Sequence, residues 1–376
     1  AGGTETLTVT SAGGAQTAAN IDTISFTDST NAATITVGDG TNNAVTLTVN
    51  GNVDGDGTAD LSFIVTNNGA GTDNEAMTLA IKSTTFNLGS GTITLTDDAT
   101  DNQGDAALLI NGTGAQALTG IINGANQGEG TVSVTNTGGT VTFNSGVGSG
   151  TEVGAISIGG ATGTSTVVFE EVVQTNDADN ETGIITIGQT DGGSAVATFK
   201  KTVTTDQGIV LGTGAGTADT ATVNFDATGA GFTVTGAISA GDAADTTTVN
   251  VLGGNTVTFA TAMGTNVDAL NIADATILAN TGGGAIDADT ITFQGSTAEL
   301  NMTAAGTITG DLVGSSASYG ILDVDAATTV TGNIGGASAT AGNALSTIEV
   351  ADNVALTIVP PAATNVVLNF GTLTLQ

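Results

Sequence analysis

One phrase recurs along the chain: a short β-branched run, a glycine, a second short run, a loose loop and a third run. It is clearest where Val330-Thr331-Gly332-Asn333-Ile334-Gly335 leads to Leu345-Ser346-Thr347-Ile348-Glu349-Val350. Earlier copies are Ile308-Thr309-Gly310-Asp311-Leu312 leading to Ile321-Leu322-Asp323-Val324, and Val234-Thr235-Gly236-Ala237-Ile238 leading to Val249-Asn250-Val251. A fourth is Leu118-Thr119-Gly120-Ile121-Ile122 leading to Val132-Ser133-Val134. A unit of this size cannot bury its apolar face alone, so copies stack and bury it between them. The expected fold is all-β, a right-handed parallel β-solenoid (β-helix). The closest corners, Gly310 and Gly332, give a bare rung of about 22 residues.

Within each run the pattern alternates, as in Val45-Thr46-Leu47-Thr48-Val49. Period-two alternation with threonine outside and aliphatic residues inside describes a half-buried strand. Runs ending in phenylalanine recur at Phe143, Phe169, Phe199, Phe225, Phe259 and Phe293. Their spacing and that of the corners give rungs of roughly 22–34 residues, on the order of 15 of them if most of the chain coils this way. Residues 1–117 alternate likewise, with slightly longer spacing and more acidic loops from residue 61 onward, and fit either a small β-sandwich-like region or early rungs. Residues 118–376 read as the solenoid proper. No helix is needed anywhere: Asp105-Ala106-Ala107-Leu108-Leu109-Ile110, the strongest helical stretch, is short and ends in Asn111-Gly112. Pro360-Pro361 removes ladder donors and marks an edge or a terminal rung.

Composition agrees with a thin core. The 376 residues are 39% hydrophobic but only 3% aromatic, so small aliphatic side chains must do the filling. Thirty-six acids against three lysines give a net charge of -33. That charge opposes binding to nucleic acid or an anionic membrane. It also makes copies of the chain repel unless cations or neutral faces intervene. There is no cysteine, hence no disulfide framework and no thiolate metal site. No apolar run is long enough to insert in a membrane as a helix. A chain opening Ala1-Gly2-Gly3, poor in lysine and rich in Gly, Thr, Asn and Asp, is expected to be the mature form of a secreted bacterial protein, extracellular or at the cell surface.

The sharpest chemical motif is Asn52-Val53-Asp54-Gly55-Asp56-Gly57-Thr58-Ala59-Asp60. Oxygen ligands at alternate positions with glycine at the sixth form the first part of a calcium loop. Asn52, Asp54 and Asp56 supply side-chain oxygens, Thr58 its carbonyl, and Asp60 closes the site. The twelfth position is Phe63 rather than Glu, so this is a short loop between strands and not a helix-loop-helix site. The alternative is an Asp/Gly turn without metal. Asp97–Asp105 and Asn176–Glu181 are acidic loops, better read as solvated than as metal sites.

Catalysis is poorly served. Histidine, cysteine and arginine are all absent, which removes the usual base near neutral pH, the thiolate nucleophile and the oxyanion clamp. Glu170-Glu171 and Lys200-Lys201, one rung apart in sequence, read as opposite charges stacked on neighbouring rungs rather than as a catalytic pair. The chain is expected not to be an enzyme.

The glycine-corner phrase, above all at residues 330–335 with 344–350, resembles the repeats of the passenger regions of autotransporter, rickettsia-like surface antigens. The likeness covers roughly residues 118–370. It implies a solenoid displayed outside the cell, acting in adhesion or as a surface coat. The sequence departs from that family in being more acidic and in showing no C-terminal barrel within these 376 residues, so display is expected to rest on self-assembly or on a region outside them. Two functions follow. One is a structural protein that self-assembles into a filament or surface layer, with other copies of itself as partners and calcium between them. The other is an adhesin or fibre-type module recognising a glycan or host surface.

Overall fold

The computed structural model describes residues 5–10, 16–26, 32–38, 44–55, 61–67, 76–97, 106–178, 182–188, 193–213, 219–335, 343–359, 368 and 370–375. Among them there are thirty-five strands and no helix. The strands stack in parallel as a β-solenoid of about 12 turns, fewer than the rung count drawn from the sequence. The chain divides into two compact units, Ala1–Ala197 with Thr204–Gln207, and Thr198–Val203 with Gly208–Gln376.

In the first unit, the described strands of residues 1–117 pair in parallel from turn to turn. Strand Glu5–Val9 pairs in parallel with Ala33–Val37, which pairs with Leu61–Thr66, which pairs with Thr85–Thr96. Leu7, Ile35, Phe63 and Ile93 therefore form one inward column, and Val9, Val37, Val65 and Leu95 a second. Strand Gln116–Gly124 runs across position 117/118. Turn length varies. Side chains bonded from rung to rung are 32 residues apart at Thr84 and Asn52, but 24 residues apart at Ser157 and Ser133. The candidate helical stretch is strand Ala106–Ile110, with alternate residues buried. One buried amide ties three rungs together. Gln116 donates from Nε2 to the carbonyls of Ile81 and Ser83 at 3.1 and 2.9 Å. Its Oε1 accepts from Asn136 Nδ2 at 2.6 Å and from the Gly112 amide at 3.1 Å. A buried side-chain amide with all these partners costs little and fixes the stacking register.

In the second unit several turns are shorter. Asn271 and Asn250, bonded across one rung, are 21 residues apart, and Asn301 and Asp323 are 22 residues apart. Gly310 and Gly332, with φ of 122° and 153°, lie one above the other. A Cβ on Gly332 would sit 2.0 Å from the Gly310 carbonyl oxygen, so the corner accepts no side chain. The long interval from Phe225 to Phe259 has a simple cause. Phe225 pairs with Val251, whereas Phe259 pairs with Val234 on a different face. The interval therefore steps from one face of the coil to another, and the true rung here is 21 to 26 residues. On the outer face, Asn271 Nδ2 donates to Asn250 Oδ1 at 2.9 Å and Asn250 Nδ2 to Asn224 Oδ1 at 2.8 Å. Identical amides one rung apart make a ladder that runs beside the backbone ladder.

Candidate functional site

Among the described residues, each unit has a strand whose inward side chains are covered on one side only. In the second unit, Leu300, Leu322, Ile348 and Leu373 make a continuous column. Leu300, Leu322 and Ile348 are buried, but Leu373 is 52% exposed. The neighbouring column Met302, Val324, Val350 and Leu375 ends the same way, with Leu375 76% exposed. Strand Phe370–Leu375 pairs with Leu345–Val350 and with no other described strand. Its far edge thus presents backbone donors and acceptors beside exposed leucines, the arrangement that accepts another strand. Ile348, Val350, Leu356, Ile358, Phe370 and Leu373 line an open apolar hollow of about 430 Å³ at this face.

The first unit has the counterpart. Leu7 heads the column Leu7, Ile35, Phe63, Ile93 and is 51% exposed, while Phe63 beneath is fully buried. The two open strands carry closely similar phrases, Thr6-Leu7-Thr8-Val9 and Thr372-Leu373-Thr374-Leu375. They are also nearly free of charge: Glu5 is the one acid in the first, and the second has none. In a chain of net charge -33 that neutrality is the local feature that permits close approach.

Acids gather beside the second face instead. Asp323 pairs with Asn301 below and Glu349 above, and Asn301 Nδ2 donates to Asp323 Oδ2 at 3.1 Å. Partial burial, then the charges of Asp325 and Glu349, push the Asp323 carboxyl above its ordinary range. Glu299 is raised in the same way, by burial first and then by Asp323, Glu349 and Asp325. A carboxyl whose folded pKa is raised adds stability that is present in full below its unfolded pKa and is lost as pH rises through the folded value. This cluster therefore stabilises the fold at acid pH and loosens it toward neutrality. Asp323→Asn keeps an acceptor for Asn301 and removes a charge. It is expected to raise the melting temperature at pH 7 and to leave it unchanged near pH 3, read by circular dichroism. An equal shift at both pH values contradicts the assignment.

Of the expected calcium loop, Asp56, Thr58 and Asp60 lie outside the described residues. Asn52 and Asp54 are exposed. Asn52 Oδ1 accepts from Thr84 Oγ1 at 3.2 Å and from the Thr85 amide at 3.4 Å. Asp54 sits within strand Val53–Gly55, in register with Ser25 and Asn87. In the loop at 97–105 only Asp97 is among the described residues. In that at 176–181, Asp177 Oδ2 accepts from Gln207 Nε2 at 2.6 Å, and Asp179, Asn180 and Glu181 lie outside the described residues. Among the described residues no group of three or more acid side chains is placed to hold a metal ion. Glu170-Glu171 and Lys200-Lys201 follow strands Gly163–Phe169 and Gly193–Phe199 respectively, at the corner after each Phe.

Two features have signals in the sequence that become readable only once the pairing is known. The amide ladder is written as Val223-Asn224-Phe225, Val249-Asn250-Val251 and Leu270-Asn271-Ile272. The open faces are written in the shared Thr-Leu-Thr phrase, which only pairing distinguishes from the other strands. Comparison with known proteins adds no relative: no family model, no curated protein and no solved structure matches the chain.

Proposed function

We propose that the chain is a secreted structural subunit that joins to copies of itself by strand addition. Strand Phe370–Leu375 of one copy lies beside Glu5–Val9 of the next, in parallel. Leu373 then meets Leu7, Leu375 meets Val9, and threonine meets threonine on the outer face. The observation that carries this reading is the open column Leu322, Ile348, Leu373, whose last member is 52% exposed on a strand without charge. Burying such leucines contributes about 25 cal/mol per Å² of apolar area, and the ladder hydrogen bonds supply direction. Calcium, held by Asn52, Asp54, Asp56, Thr58 and Asp60, belongs to the reading as counter-charge between acidic copies. The site of action is outside a bacterial cell, in a filament or surface layer.

Leu375 is 76% exposed, so Leu375→Asp leaves the fold intact while placing a charge in the joint. In sedimentation velocity the unsubstituted chain is expected to form species that grow with concentration. The variant is expected to remain a monomer with unchanged β-sheet circular dichroism. A chain that stays monomeric at every concentration, or a variant that assembles as well as its parent, contradicts the proposal.

A further inference from the structure

A stretch of sequence recurs almost unchanged in the second unit: Ala218-Asp219-Thr220-Ala221-Thr222-Val223-Asn224 and Ala244-Asp245-Thr246-Thr247-Thr248-Val249-Asn250. Strands Thr220–Asp226 and Thr246–Leu252 pair in register, Thr220 on Thr246. Asp219 and Asp245 therefore stack directly, one rung apart, just before the two strands begin. Adjacent strands lie about 4.8 Å apart, so two carboxylates leave the backbone at neighbouring points.

Both residues are 4% exposed. Asp245 Oδ1 accepts from the Asp219 amide at 2.9 Å. Asp245 Oδ2 is buried and meets no hydrogen-bond donor among the described residues. Gly212 marks how tightly the carboxylate is held: a Cβ there would lie 2.4 Å from Asp245 Oδ2. Basic side chains are scarce, since the chain has only Lys82, Lys200 and Lys201. Within this unit, Lys200 follows Phe199, whose ring stacks 6.0 Å from that of Phe225, near the other end of strand Thr220–Asp226. That end lies roughly 20 Å along the strand from the level of Asp245.

A buried carboxylate without a counter-charge or a full set of donors is costly. A positive partner for Asp245 Oδ2 must accept oxygen ligands alone, because the chain has no histidine and no cysteine. We infer that Asp219 and Asp245 hold a divalent cation of the calcium type between two successive rungs. Calcium tolerates irregular oxygen sets that combine carboxylates with backbone carbonyls, whereas magnesium demands a regular octahedron and keeps its water. The site is separate from the loop at 52–60 and ties neighbouring turns of the second unit to each other.

The test is equilibrium dialysis of the full chain against radiocalcium, for the unsubstituted protein, Asp245→Asn and Asp54→Asn. Asp245→Asn is expected to lose one calcium per chain relative to its parent, and Asp54→Asn to retain that calcium. Hydrogen exchange on the unsubstituted chain supplies a readout that needs no variant. Calcium is expected to slow exchange of the peptides containing Asp219 and Asp245 relative to chelator, since the Asp219 amide bonds to Asp245. Three results overturn the site: an unsubstituted chain that binds no calcium, an Asp245→Asn chain that binds as much as its parent, or exchange at these peptides that is indifferent to calcium.

Discussion

Phe169→Ala is expected to cost about 3–5 kcal/mol of stability, the range for emptying a large aromatic site in a packed interior. Phe169 is 1% exposed and pairs in register with Phe143. Their rings stack at 5.0 Å with an interplanar angle of 5°. The narrow interior has few other large side chains to close the gap, since aromatics are 3% of the chain. The stacked pair itself contributes about 0.5–1.5 kcal/mol beyond the area buried. Each rung contacts only its neighbours, so the loss falls on the turns beside Phe143 and Phe169. Urea unfolding followed by circular dichroism measures it. A loss below about 1 kcal/mol means that the pair is not the packed centre of these rungs.

The second large effect is at a corner. Gly310 has φ of 122°, and a Cβ there would lie 1.7 Å from the Ala288 carbonyl oxygen. Left-handed backbone alone costs a residue with a side chain about 1–2 kcal/mol. The collision adds to it, because only a parting of the two rungs relieves it, and that breaks ladder hydrogen bonds on both sides. Gly310→Ala is expected to cost more than about 3 kcal/mol, in the range reached by few single substitutions. Gly229 separates the two causes. It also has positive φ, 94°, but a Cβ there meets nothing within 4 Å. Gly229→Ala is expected to show the conformational cost alone. Equal losses at the two glycines contradict the stacked corner.

The glycine corners were legible in the sequence because their constraint is local and severe. A position that must pass another backbone within van der Waals contact admits one residue type, so Gly310 and Gly332 recur at the true rung length. Alternation of threonine with aliphatic residues likewise reports the two sides of a strand directly. The phenylalanines were less informative. A solenoid has several faces, and Phe fills any inward position, so the step from Phe225 to Phe259 crosses faces. Loop length scattered the count further: bonded neighbours are 21 residues apart at Asn271 and Asn250 but 32 residues apart at Thr84 and Asn52. Alternation at Leu373-Thr374-Leu375 marked a strand in the sequence, but the exposure of its column and of the one at Leu7 was not legible. Leu373 and Leu322 look alike in sequence, and only pairing shows that one ends its column while the other is covered. The acid pair at Asp219 and Asp245 was written in a repeated phrase. Sequence alone reads aspartate as a turn residue facing water, and burial is what sets these two apart.

Cryo-electron microscopy of the assembled material tests the central claim most directly. The strand ladder is expected to run unbroken across each junction, with Phe370–Leu375 of one copy against Glu5–Val9 of the next and Leu373 seated on Leu7. Particles that stay single, or copies joined side by side through their acidic flanks with Leu373 and Leu375 still facing solvent, contradict it.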